Sequence, residues 1–144
     1  MIIKQISVFV ENKKGRLAEI TETIAKSGAN IRALSIADTT DFGILRLIVD
    51  KPNEAAAALK EAGITVSVTN VIAIGIDDTP GAFSVPMRIL SDADIDVEYM
   101  YAFITRKSEK AYVILRVADN EAAAKVLIDK GVEILDEGSL LSLM

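Results

Sequence analysis

The sequence predicts an α+β fold in which one βαββαβ unit occurs twice. Three observations carry that prediction. First, apolar residues alternate at Ile6, Val8 and Val10 and again at Ile72, Ile74 and Ile76, as in strands. Second, each run enters a glycine turn followed by apolar residues at helical spacing: Leu17, Ile20 and Ile24 after Gly15, then Phe83 and Leu90 after Gly81, sixty-six residues on. Third, Asn120-Glu121-Ala122-Ala123-Ala124 repeats Asn53-Glu54-Ala55-Ala56-Ala57 letter for letter, and Ile114-Leu115-Arg116 repeats Ile44-Leu45-Arg46. The 144 residues therefore divide into modules 1–70 and 71–144. A unit of that size buries only about 60 per cent of its unfolded surface, so the halves are expected to share a surface.

The elements follow in order. Met1 to Val10 is a strand and Arg16 to Ser27 a helix, closed by Gly28. Asn30 to Asp38 and Phe42 to Val49 are strands joined by a Thr39-Thr40-Asp41 turn, a hairpin. Asp50-Lys51-Pro52-Asn53 stops the second strand, and Glu54 to Ala62 is an alanine-rich helix ended by Gly63. From Ile64 to Ile76 no turn cluster interrupts the β-branched run, so the last strand of the first half runs into the first strand of the second, with Asn70 and Gly75 as candidate bend or bulge positions. The second half predicts a helix over Ala82 to Ser91, strands over Ile95 to Thr105 and Lys110 to Val117, an alanine helix ended by Gly131, and a strand over Val132 to Leu135. Pro86 lacks the N–H of a continuing helix, so the helix after Gly81 is expected to start late or kink. Asp136 to Met144 matches no part of the repeat and reads as a docking segment or a frayed tail.

Composition removes several function classes. Cysteine and histidine are absent, which excludes thiol nucleophiles, disulfides, a serine–histidine base and the usual zinc sites. No acid–base constellation converges, so the reading is that the protein is not an enzyme, with no metal and no cofactor. A net charge of −5 with scattered charges gives no footprint for nucleic acid or an anionic membrane. The chain opens directly into strand alternation and has no spanning apolar run, which predicts a cytoplasmic protein.

The βαββαβ, or ferredoxin-like, sandwich serves many functions, and some are closed to this chain. Its central strands, FGILRLIV and AYVILRV, lack the aromatic platform of an RNA binder, and no cysteine pair is present to carry copper. A helix beginning at a glycine turn presents unpaired N–H groups suited to a small carboxylate. The turns Glu11-Asn12-Lys13-Lys14-Gly15-Arg16-Leu17 and Asp78-Thr79-Pro80-Gly81-Ala82-Phe83, followed by Asn30-Ile31 and by Asp96-Val97, resemble those of the ACT domain family, amino-acid-binding regulatory modules. The resemblance covers nearly the whole chain as two copies. It implies two ACT modules side by side, a shared eight-stranded antiparallel sheet with four helices on one face, and a ligand lying between modules against the glycine turn of one and a strand of the other. The first copy resembles the serine-binding regulatory domain of phosphoglycerate dehydrogenase, whose two ligand asparagines fall on Asn12 and Asn30; its histidine is replaced by Val10, so the resemblance does not reach the ligand's identity.

The candidate ligand residues are thus Glu11, Asn12, Gly15, Arg16, Leu17, Asn30 and Ile31 in the first copy and Asp78, Thr79, Gly81, Ala82, Phe83 and Asp96 in the second. Each has a plainer reading: Asn12, Asp78, Gly15 and Gly81 as turn residues, Asn30 and Asp96 as strand-entry caps. Asparagine offers donor and acceptor to a zwitterion, whereas Asp78 and Asp96 repel a carboxylate, so the two sites are not equivalent. The tyrosine-bearing face of Tyr99, Tyr101 and Phe103 is either packing or a dimer surface. The expected function is an amino-acid sensor, a homodimer, that modulates a metabolic enzyme; the alternative is a ligand-free interaction module using an exposed sheet face.

Overall fold

The computed structural model describes residues 2–38 and 41–143. The first two residues of the expected Thr39-Thr40-Asp41 turn, and Met144 of the tail, lie outside them. Two compact units are present: Lys4–Thr69, and Asn70–Met144 together with the first three residues.

In the first unit the strands are β1 (Ile3–Glu11), β2 (Ile31–Asp38), β3 (Phe42–Val49) and the start of β4 (Val66–Asp77), in the order β2-β3-β1-β4. β3 is antiparallel to both β1 and β2, with Val8 opposite Leu45 and Leu34 opposite Leu47. Alternation decides the faces. Ile6, Val8 and Val10 join Leu45, Leu47 and Val49 on one side, where α1 (Arg16–Lys26) adds Ile20 and Ile24 and α2 (Pro52–Glu61) adds Ala55 and Leu59. Removing one such aliphatic side chain from water stabilises by about 1.5–3 kcal/mol, so this layer holds the unit together. α2 begins two residues before the expected Glu54, because proline at a helix's first position gives up an N–H that has no partner there anyway.

The second unit repeats the plan. β4 pairs with β6 (Lys110–Val117), which pairs with β5 (Val97–Ile104), and β7 (Glu133–Leu135) pairs with β4; all are antiparallel. Ile72, Ile74, Val113 and Leu115 meet Leu90 of α3 (Ser84–Asp92) and Ala123 and Leu127 of α4 (Asn120–Asp129). α3 starts three residues after Gly81, whereas α1 starts directly after Gly15, and Pro86 falls in its first turn, where a missing N–H breaks no helical bond. α4 is capped by Asp119, whose Oδ1 accepts the Ala122 N–H at 3.0 Å.

Two expected counts are corrected. The described residues hold seven strands, not eight, because the last strand of the first repeat and the first of the second are one continuous strand, Val66–Asp77. They hold five helices, not four: the segment after Asp136, expected as a docking segment or a frayed tail, is α5 (Glu137–Leu143). Asp136 caps α5 by accepting the Ser139 N–H at 2.7 Å, and the bond holds its carboxyl below the usual range. At the other end Lys107 Nζ donates to the Ser142 carbonyl at 3.1 Å and the Thr105 hydroxyl to the Leu143 carbonyl. Leu140 is fully buried, as are Ala73, Ile114 and Leu135 on the sheet face away from α3 and α4. Tyr101 opposes Ile114, and Phe103 opposes Tyr112 and stacks on it at 5.7 Å, so the aromatic stripe of β5 lies on this second face.

Candidate functional site

In the first unit the chain leaves β1 at Glu11 and turns on hydrogen bonds from Asn12 N–H to the Asp41 carbonyl (3.1 Å) and from Arg16 N–H to the Lys13 carbonyl (3.2 Å). Gly15 takes φ 83°, a left-handed conformation costly for a residue with a Cβ, and no side chain caps α1. Glu11 is paired with Lys13 at 2.8 Å and Arg16 with Glu19 at 2.9 Å. The hydrogen bond from Lys13 holds the Glu11 carboxyl below its ordinary value, with the Lys13 and Arg16 charges adding to it. Arg16 Nε is buried and makes no hydrogen bond. Two small depressions flank the turn. One, of about 270 Å³, is lined by Asn12, Leu17, Ile36, Asp38 and Phe42; the other, of about 240 Å³, by Glu11, Gly15 and Arg16.

Asn30 is not there. Its N–H donates to Asp50 Oδ1 at 2.8 Å and its carbonyl accepts the Asp50 N–H at 3.2 Å, at the start of β2. Asn12 faces Asp41, nine residues back along β3. At about 3.3 Å per residue the two asparagines of one unit stand roughly 30 Å apart, at opposite ends of its sheet. Ile31 packs against the core.

The second unit has a larger cavity, about 440 Å³, at the end of the sheet where β4 stops, β6 and β7 begin and α3 starts. Of the expected residues, Thr79, Gly81 and Ala82 line it. Gly81 takes φ 84°, with its carbonyl accepting from the Ser84 hydroxyl at 2.7 Å. Phe83 packs against the core, Asp78 is exposed beside the cavity without lining it, and Asp96 precedes β5 at the far end of the sheet. The sequence reading missed the charged wall: Lys110 Nζ pairs with Glu133 Oε2 at 2.8 Å, next to Asp77. The Glu133 hydrogen bond holds the Lys110 ammonium above its ordinary value. Gly75 is neither bend nor bulge. It pairs in unbroken register with Tyr112 and Glu133, and a Cβ there would lie 2.6 Å from Glu133 Oε2, so the missing side chain makes room for that carboxylate. Only the register places these residues together, since Lys110 and Glu133 each stand alone in the linear pattern.

Among the described residues no helix is long and apolar enough to cross a membrane, and no carboxylate cluster could hold a metal ion. The family model of the ACT domain pair matches residues 1–144. The chain belongs to the ACT domain pair family. Among solved structures this ACT pair is similar to protein BT0572 from Bacteroides thetaiotaomicron, with a TM-score of 0.92 and 40% identity over 99% of this chain and 98% of that one. It shares its fold with the ligand-free regulatory subunit of aspartate kinase from Thermus thermophilus, at TM-score 0.62 and 18% identity over 89% of this chain and 92% of that one. The same subunit from Thermus flavus gives 0.59 and 16% over 90% and 94%. None of the curated proteins matches this ACT pair.

Proposed function

We propose that this ACT pair is a non-catalytic sensor that binds a free amino acid and passes its occupancy to a metabolic enzyme. The observation that carries the reading is the placement of Asn12 and Asn30 at opposite ends of a unit whose edge strand β2 is open. On β2, Leu34 is 57% and Ile36 46% exposed. Antiparallel pairing of β2 with β2 of a second copy sets the start of one strand against the end of the other. Asn30 of the second copy then stands beside the depression lined by Asn12, Ile36 and Asp38. A zwitterion there finds the first-turn N–H groups of α1 for its carboxylate and two amide side chains for its ammonium. Binding would favour the paired state and so change the surface shown to the enzyme.

A thermal-shift panel of the twenty L-amino acids, with sedimentation of each hit, tests this. A hit abolished by Asn30→Ala and accompanied by dimer formation is expected. The alternative, a ligand-free interaction module, is favoured by Phe9 and Phe42, which stack at 4.9 Å and remain 40% and 37% exposed on the face away from α1 and α2. It predicts silence across the panel and weakened self-association or partner capture in Phe9→Ser.

A further inference from the structure

We propose that α5 is a releasable strap. With the Lys110–Glu133 pair it clasps β7 to the β5–β6 hairpin across β4, and it opens, without unfolding the second unit, to uncover the aromatic sheet face it crosses. The inference does not depend on the amino-acid-binding reading. Where that reading also holds, the face under α5 is a surface that the chain shows to a partner or withholds from it.

The clasp follows from the strand register. Glu133 of β7 and Tyr112 of β6 both lie opposite Gly75, and Lys110 lies opposite Asp77, so β4 runs between β7 and β6. These side chains share the face away from α3 and α4, because Ile72, Ile74 and Ile76 of β4 take the other. The 2.8 Å bond from Lys110 to Glu133 therefore passes over β4, at the point where glycine leaves room for it. α5 crosses the same face. It leaves β7 at the Asp136 cap and ends against the β5–β6 turn, where the Thr105 hydroxyl donates to the Leu143 carbonyl and Lys107 Nζ to the Ser142 carbonyl at 3.1 Å. The turn is tied in its place by its own hydroxyls. Thr105 Oγ1 accepts the Lys107 N–H at 3.1 Å, and Ser108 Oγ accepts from the Lys110 N–H at 3.1 Å and from the Tyr112 hydroxyl at 2.9 Å.

What holds α5 down is slight. Among its described residues Leu140 alone is fully buried. Gly138, Ser139 and Ser142 are weak helix formers, and seven residues fall far short of the length at which a helix stands unaided in water. The polar ties involve exposed groups: Lys107 is exposed, and Lys110 and Glu133 are about two-fifths so, at 42% and 40%. Water screens each tie, and breaking one costs little. α4, by contrast, sends Ala123 and Leu127 into the core. A segment with so few buried contacts opens on its own, ahead of the unit that carries it. The face it crosses holds Ala73, Tyr112, Ile114 and Leu135, all buried, with Phe103 stacked on Tyr112 at 5.7 Å. In the first repeat the chain continues directly along β4, so the strap is an addition to the repeated plan.

The test is native-state hydrogen exchange of the full chain at increasing urea, with fluorescence of the dye anilinonaphthalene sulfonate measured alongside. Four chains are compared: the wild type, Leu140→Ser, Lys107→Met and Glu133→Gln. In the wild type, protection of residues 137–143 should lie at least about tenfold below that of α4, through openings nearly independent of urea. Leu140→Ser should lower it about tenfold or more again and raise dye fluorescence, while α4 and β6 stay within about twofold of the wild type. Lys107→Met and Glu133→Gln, each removing one exposed tie, should lower it about twofold to fivefold. Protection of α5 equal to that of α4, with the same urea dependence, overturns the inference. So does a Leu140→Ser chain that loses protection evenly through the unit, since α5 is then part of one cooperative fold. Fast exchange without a gain in dye fluorescence in Leu140→Ser overturns the cover, and α5 protection unchanged in Glu133→Gln overturns the clasp.

Discussion

Gly75→Ala puts the cavity wall under a load whose size follows from the structure. The new Cβ meets Glu133 Oε2 at 2.6 Å, Glu133 Cδ at 3.1 Å and Tyr112 Cε1 at 3.2 Å. The carboxylate end of Glu133 is flexible and can swing away, at the loss of an exposed ion pair worth about 0–1 kcal/mol. The Tyr112 ring is only 2% exposed and must yield a few tenths of an ångström within a packed face. Crowding of this kind costs about 1–3 kcal/mol, and the lost backbone freedom of the unfolded chain returns about 0.4–1 kcal/mol. The three contributions together give a destabilisation centred near about 2 kcal/mol, within a range of about 0–3.5 kcal/mol. In a Glu133→Ala background the closest contact is gone and the Tyr112 contact remains, so the substitution should cost about 1 kcal/mol less and the two changes are coupled by about that amount. Urea denaturation of the wild type, both single variants and the double variant measures that coupling. If Gly75→Ala costs the same with and without the Glu133 side chain, the account of the wall is wrong.

Four further outcomes follow from the structure. Gly15→Ala and Gly81→Ala should each cost about 1–2 kcal/mol from the left-handed φ alone, since no atom lies within 4 Å of the added Cβ, and asparagine at either position should recover part of the loss in thermal melts. Leu59→Ala and Leu127→Ala, both fully buried, should each cost about 2–5 kcal/mol in denaturant titrations, a much larger loss than surface changes on the same helices give. Asp119→Ala should lose about 0.5–2 kcal/mol with the α4 cap, whereas Lys51→Ala at the start of α2, where no side chain caps the helix, should change stability little. Because the Asp136 carboxyl is held below its ordinary value of 3.8, its contribution to α5 is full above that pH and lost as pH falls through the lower folded value. Hydrogen exchange at Leu140 should therefore be steady in protection between neutral pH and about pH 5 and weaken only in stronger acid; loss of protection near pH 6 would refute the cap.

The repeat made most of the architecture legible. Period-2 alternation at Ile6–Val10 and Ile72–Ile76, the glycines at helix ends and the duplicated alanine helices place seven strands and four helices to within a few residues. The uninterrupted β-branched run from Ile64 already signalled one continuous strand, and only the strand count failed to follow from it. α5 was hidden because seven residues with three glycine or serine positions carry too little periodicity, and its place comes from the Asp136 cap and the burial of Leu140. The glycine turns were visible, and the left-handed φ at Gly15 and Gly81 is the conformation such turns require. What the chain order concealed is which side chains meet. Asn12 and Asn30 look like partners eighteen residues apart, yet the register of β2 and β3 sends them to opposite ends of a sheet. Lys110 and Glu133 look unrelated and are brought together by their pairing with neighbouring residues of β4.

The central claim, that a free amino acid binds against the glycine turns, is tested most directly by recording amide spectra of the ¹⁵N-labelled chain during titration with each of the twenty L-amino acids. Saturable shifts at residues 12–17 or 79–83 are predicted for at least one of them, with shifts along β2 where a second copy pairs. Spectra unchanged by all twenty, or shifts spread evenly over the surface without saturation, would contradict it.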